Sequence, residues 1–145
     1  MTAVVQRIPA GRTYAAFRVM RELRPALTTV EEFTTLVDGE LRPGGYLLAG
    51  VFADGTADAV AVAGYRYTRS LAAGRHMYVD DLVSLPEVRG AGHARALFAW
   101  LGEEAKVEGC GQLHLDSGTQ RHGAHRFYFA NGMHVPALHF MRALD

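Results

Sequence analysis

Between Asp80 and Ala94 the sequence passes from a strand to a helix through a turn built on Pro86, Gly90 and Gly92. The run His76–Leu85 reads as a strand, and Gly92–Glu108 returns to helical spacing with Ala94, Leu97, Phe98, Leu101 and Ala105 along one face. A strand delivered through such a turn into an amphipathic helix implies layered α/β architecture. Glycines let backbone approach a ligand closely, and the unpaired N–H groups of a helix's first turn attract anions. Two common phosphate loops do not fit. His93 and Ala94 stand where a P-loop needs Lys and Ser or Thr, and Arg95 stands where a dinucleotide fingerprint needs its third glycine. What remains is Arg89-x-x-Gly92-x-Ala94.

The rest of the chain supplies the partners of that unit. Val4–Ile8 is a short β-branched run closed by Pro9 and Gly11, and reads as an edge strand. Thr13–Leu23 places Ala16, Phe17, Met20 and Leu23 on one helical face. Thr28 or Thr29 can cap a second helix that carries Glu31 and Glu32 in its first turn and ends at Gly39. Tyr46–Ala53 and Ala57–Arg69 read as strands joined by a hairpin turn at Asp54-Gly55. Gln112–Ser117 alternates like a strand, Arg121–Asn131 reads as a short helix stopped by Gly132, and Leu138–Leu144 reads as a last strand. The order predicts an α/β fold whose mixed, mostly antiparallel sheet is flanked by helices on both faces.

At 145 residues, with no repeat or linker, residues 1–145 are expected to form a single domain. Fifteen basic side chains balance fifteen acidic ones. That balance argues against nucleic acid as a partner, since phosphate binding rests on clustered Lys and Arg. The longest apolar stretches, Tyr46–Ala53 and Ala59–Tyr65, are far shorter than the ~20 residues of a membrane helix. Arg7 and Arg12 interrupt the N-terminus before a signal-peptide core forms. The one cysteine, Cys110, has no partner for an internal disulfide, which fits a reducing cytoplasm.

The segment from Leu82 to Gly90, with Arg89-x-x-Gly92-x-Ala94, resembles the pyrophosphate loop of the GNAT superfamily of acyl-CoA-dependent N-acetyltransferases. Some thirty residues on, Ala124-His125-Arg126-Phe127-Tyr128-Phe129-Ala130-Asn131-Gly132-Met133 is similar to that family's Ala-x-x-Phe-Tyr-x-x-x-Gly-Phe segment. Two departures stand out. Arg121 occupies the place of an Asn that many members use to contact the cofactor, and Met133 replaces an aromatic. The N-terminal third matches no family motif, so the resemblance leaves the acceptor open.

The resemblance implies a GNAT-like fold and acetyl transfer from acetyl-CoA, as co-substrate, to a primary amine by direct attack in a ternary complex. No metal is expected, and a homodimer is a family habit rather than a reading of these residues. The loop amides of Gly90, Ala91, Gly92, His93 and Ala94, with Arg89 at its start, would hold the pyrophosphate. Leu82, Val83 and Ser84 would pair with the pantetheine arm as an added strand. Tyr128, facing the cofactor sulfur, would act as general acid: a phenol near ~10 can protonate a thiolate near ~8.5. A base should lie on the same strand. Alternation places Tyr78, Asp80 and Leu82 on one face and Asp81 on the other, which favours Asp80. The alternative from another class is a non-catalytic acyl-CoA-binding or regulatory module.

His114, His122 and His125 are further candidates for the base, with Asp116 within reach of the latter two. The chain lacks His-Glu-x-x-His and paired cysteines, the usual marks of zinc. It also lacks the Gly-x-Ser-x-Gly elbow of a Ser-His-Asp hydrolase. Cys110 has no neighbouring histidine in sequence to activate it.

Overall fold

A computed structural model describes residues 3–145. Its contacts divide into two compact units, Met1–His114 and Leu115–Asp145, and each is described by itself.

The first unit is built on a sheet in the order β1 (Ala3–Ile8), β2 (Leu47–Ala53), β3 (Ala61–Ser70), β4 (Gly74–Ser84) and β5 (Gln112–Leu115, whose last residue opens the second unit). The first three pairings are antiparallel, and β1 takes the edge that its short β-branched sequence implies. Ala61 to Tyr65 are all buried, because helices cover both faces of β3. On one face Tyr65 meets Trp100 of α3 (His93–Val107) edge-on at 6.3 Å. Leu97, Leu101 and Ala105 bury the same α3 stripe, at i, i+4 and i+8. On the other face lies α1 (Phe17–Leu23), and α2 (Val30–Leu36) packs against it through Phe33 on Phe17 at 5.8 Å. Thr29 caps α2 by accepting the Glu32 N–H at 3.1 Å, while Glu32 accepts the Thr28 N–H at 3.2 Å.

Three local expectations are corrected. Strand β3 begins at Ala61 rather than Ala57, because β2 and β3 are joined by a longer loop than a two-residue turn. Thr56 is bonded back to Ala53 through both its N–H and its Oγ1. Helix α2 does not stop at Gly39; it continues as a π-helical turn, Val37–Leu41. That turn is tied down by Arg42, which donates to Asp38 at 2.8 Å, to the Ile8 carbonyl at 2.7 Å and to the Thr13 hydroxyl at 3.0 Å.

The second unit contains α4 (His122–Ala130), closed by Gly132 at φ 87°. Residues 134–145 carry no regular element. Within its own unit Leu138–Leu144 has no neighbouring strand with which to build a ladder, so its alternating pattern does not yield the predicted strand.

Candidate active site

Strand β4 carries a bulge where the sequence places two acids. Gly64 pairs with Asp81 but Tyr65 pairs with Val79, so Asp80 is an extra residue opposite none. Simple alternation therefore fails, and the expected separation of the two carboxylates is corrected. Gly64 and Arg66 share a face of β3, Asp81 is opposite Gly64, and the Asp80 carboxylate is bonded to Arg66. Both acids lie on the α1 side of the sheet. Leu82, paired with Ala63, takes the α3 side.

Each carboxylate has its own arginine. Arg66 grips Asp80 with two bonds, Nε to Oδ2 at 2.9 Å and Nη2 to Oδ1 at 3.3 Å, while its guanidinium lies 4.9 Å from the Tyr78 ring centre. Arg24, just past the end of α1, donates from Nε to Asp81 Oδ1 at 2.9 Å and from Nη2 to the Asp80 carbonyl at 3.0 Å. Arg24 and Arg66 are 52% and 41% exposed, against 13% and 32% for their acids. Pairs this open to water contribute about 0–1 kcal/mol each, so they are easily exchanged.

The second oxygen of Asp81 accepts from the Tyr46 hydroxyl at 2.7 Å. Burial, then the charge of Asp81, pushes the Tyr46 phenol far above its usual range, so it remains a neutral donor. Tyr46 reaches Asp81 across Gly64, where any Cβ would coincide with its ring and hydroxyl. Arg24, Tyr46 and Arg66 were not singled out in the sequence. The one available signal was Gly64 itself, since an isolated glycine within a strand marks a close approach.

Beyond the bulge, Leu82, Val83 and Ser84 pair with Ala63, Val62 and Ala61 on one edge. On the other side, β5 starts beside the beginning of β4, where the Gly111 N–H donates to the Arg75 carbonyl. It has four residues against the eleven of β4. Pro86–Val88 then forms a 3-10 turn. Gly90 and Gly92 follow at φ 91° and 85°, with open space where a side chain would project. Such φ values favour glycine. In α3 the first amide to find a carbonyl four residues back is Ala96, bonded to Gly92, which leaves the Gly92, His93, Ala94 and Arg95 amides ahead of the ladder. Arg89 and Ala91 lie in the same loop.

In the second unit Tyr128 is a buried residue of α4. Burial raises its phenol above the ordinary value, and Arg121 opposes this with its charge and a side-chain hydrogen bond. The residue that departs from the family pattern thus contacts the expected acid. His125 bonds the Gly118 carbonyl at 2.8 Å, and Asp116 pairs with His139 at 3.0 Å rather than with His122 or His125. In the first unit His114 bonds Gln112 at 2.7 Å. Burial, then the neighbouring His76, lowers its pKa. Among the described residues, no three His, Cys, Asp or Glu side chains converge as a metal site.

Residues 14–133 match the Acetyltransferase (GNAT) family, and the chain belongs to it. It is 29% identical over 113 residues to the uncharacterised N-acetyltransferase YhdJ of Bacillus subtilis, covering 78% of each chain. It is also 36% identical over 66 residues to an aminoalkylphosphonate N-acetyltransferase of Salmonella typhimurium, covering 46% of this chain and 43% of that one. In fold, it superposes on an acetyltransferase of Trypanosoma brucei with a TM-score of 0.80 at 20% identity, covering 99% of this chain and all of the other.

Proposed function

We propose that this chain transfers an acetyl group from acetyl-CoA to a primary amine by direct attack in a ternary complex. The observation that carries the reading is the loop from Pro86 to Ala94. Two left-handed glycines with open Cβ positions leave room for a ligand beside the first-turn amides of a fifteen-residue helix, while the Ala91 N–H is turned back to the Val88 carbonyl at 3.2 Å. Those features suit an anionic pyrophosphate. Arg89, Gly90, Ala91, Gly92, His93 and Ala94 would hold it, and Leu82, Val83 and Ser84 would pair with the pantetheine amides.

In the proposed reaction the neutral amine nitrogen attacks the thioester carbonyl, a C–N bond forms and the C–S bond breaks. The thiolate takes a proton from Tyr128, which also borders the cofactor, and the amine's surplus proton passes to Asp80. A phenol is protonated at neutral pH, and Arg121 opposes the burial that would weaken it as a proton donor. The role of Tyr128 is carried over from the family segment. Asp80 is preferred to Asp81 as base because its side chain is 32% exposed against 13%, and its partner is the exposed Arg66, whereas Asp81 also holds the buried Tyr46 hydroxyl. A carboxylate near ~3.9 is a weak base toward an ammonium near ~10, so a relaying water fits best. The Salmonella relative's name specifies an aminoalkylphosphonate; for this chain we take from it only an amine acceptor.

We further propose a cytoplasmic setting, resting on the lone Cys110. No helix among the described residues is long and apolar enough to cross a membrane. The test is thiol release from acetyl-CoA across an amine panel, alongside a melting shift with acetyl-CoA. Release with an amine supports the enzyme, whereas a shift without release across the panel supports a binding module. Absence of both overturns the reading.

A further inference from the structure

The structure assigns a charge pattern to the acceptor: we infer a small zwitterion, with its primary amine a few bonds from a carboxylate or phosphonate. This inference rests on the reading of the chain as an amine acetyltransferase and deepens it.

Two acids and two arginines meet on one side of β4, each acid already neutralised. An amine with no other charge can take Asp80 only by displacing Arg66, which strands a guanidinium. A simple anion can recruit Arg66 or Arg24 only by stranding a carboxylate. A molecule with both charges exchanges partners: its ammonium takes Asp80, and its anion takes the released Arg66. Both charges of such a molecule meet a charged partner, whereas a singly charged molecule forms one such contact and gives up another.

The mobility this exchange needs is distributed in the right way. Both arginines are more exposed than their acids and can swing outward. The acids are held by the strand, and Asp81 keeps the Tyr46 hydroxyl bond at 2.7 Å when Arg24 moves. Arg24 Nη2 lies 3.0 Å from the Asp80 carbonyl, so a second guanidinium stands beside the first for the anion to reach. Guanidinium forks bind carboxylate and phosphonate oxygens two at a time, which suits an anion larger than chloride.

If the ion pairs only tie α1 and β3 to β4, zwitterions have no advantage. Calorimetric titration of the full chain at low salt distinguishes the two. The probes are 3-aminopropionate, 3-aminopropionamide and propionate, then the same trio one carbon shorter and one longer, and 2-aminoethylphosphonate. At least one zwitterion should bind roughly ten-fold or more tightly than its amide and its simple acid, equivalent to about 1.4 kcal/mol. Arg66→Gln should erase most of that advantage, with the zwitterion binding more weakly and the amide more tightly, since the amide no longer has a guanidinium to displace. Arg24→Lys, which keeps the charge but loses the fork, should reduce the advantage partially. Equal binding of zwitterion and amide, no binding by any zwitterion, or an advantage that survives both variants would overturn the inference. Thiol release from acetyl-CoA with the same amines, measured on the same sample, tells the two failures apart: release without a zwitterion advantage overturns this inference alone, whereas no release with any amine overturns the acetyltransferase reading.

Discussion

The Tyr46 hydroxyl occupies the volume where a Cβ on Gly64 would lie, and from there it donates to Asp81 at 2.7 Å. Glycine at 64 is therefore a condition of the Tyr46–Asp81 bond rather than a conformational need, since its φ is not positive. Gly64→Ala should lower stability by about 1–3 kcal/mol through overpacking. Tyr46→Leu in the same chain should recover part of that loss, because it vacates the space. Thermal melting of both singles and the double gives the coupling. Strict additivity would mean that the two residues do not compete for one volume.

Alkaline pH should unfold the protein earlier than its carboxylates alone would dictate. Tyr46 and Tyr65 are both raised by burial, so the folded state holds their protons more tightly than the unfolded chain does. Stability from these groups is complete below the ordinary phenol value near ~10 and declines as pH rises beyond it. Tyr46→Phe should flatten that decline in denaturant titrations run at successive pH values. A decline of the same slope in wild type and variant would assign it to other groups.

Asp81→Asn should cost about 1–3 kcal/mol, because one change disturbs both Arg24 and the buried Tyr46 donor. Asp80→Asn should cost less than about 1 kcal/mol, since its carboxylate is more exposed than that of Asp81 and holds no buried donor. Its effect belongs in turnover: kcat/KM should fall. Wild-type kcat/KM in Asp80→Asn would remove Asp80 as the proton acceptor.

Tyr128→Phe keeps the ring and deletes the proton donor. With chemistry rate-limiting, kcat should drop by about 10²–10⁴-fold while acetyl-CoA binding changes little. Arg121→Gln should shift any alkaline limb of kcat upward, because Arg121 opposes the burial that raises the phenol. An unmoved limb would separate Arg121 from the titration.

Gly92→Val forces a β-branched residue to φ 85° at the opening of α3. Wild type should gain roughly 5–10 °C in melting midpoint with acetyl-CoA at a hundred times its dissociation constant. The variant should melt cooperatively without that gain. A full gain in the variant would take the loop out of cofactor binding.

Much of this architecture was legible from periodicity. The Leu97, Leu101 and Ala105 stripe, the Thr29 cap and the edge position of Val4–Ile8 follow from local rules that tertiary contacts did not overturn. The bulge at Asp80 did not show in the same way, because it arises from how two strands pair and period-two reading assumes perfect pairing. Arg24 and Asp81 are 57 residues apart, and the charge of either says nothing about the other until the fold joins them. Leu138–Leu144 has a strand's alternation, yet alternation describes faces rather than neighbours. The turn from β4 into α3 was readable because glycine, proline and arginine occur there in a fixed local order.

Removing Asp80 from the count restores unbroken alternation along β4: Val79 and Leu82 stay on the α3 side and Asp81 stays on the other. The second acid is thus a supernumerary residue set into an otherwise complete ladder. One codon gained or lost at this point adds or subtracts a carboxylate without re-registering any other residue of the sheet.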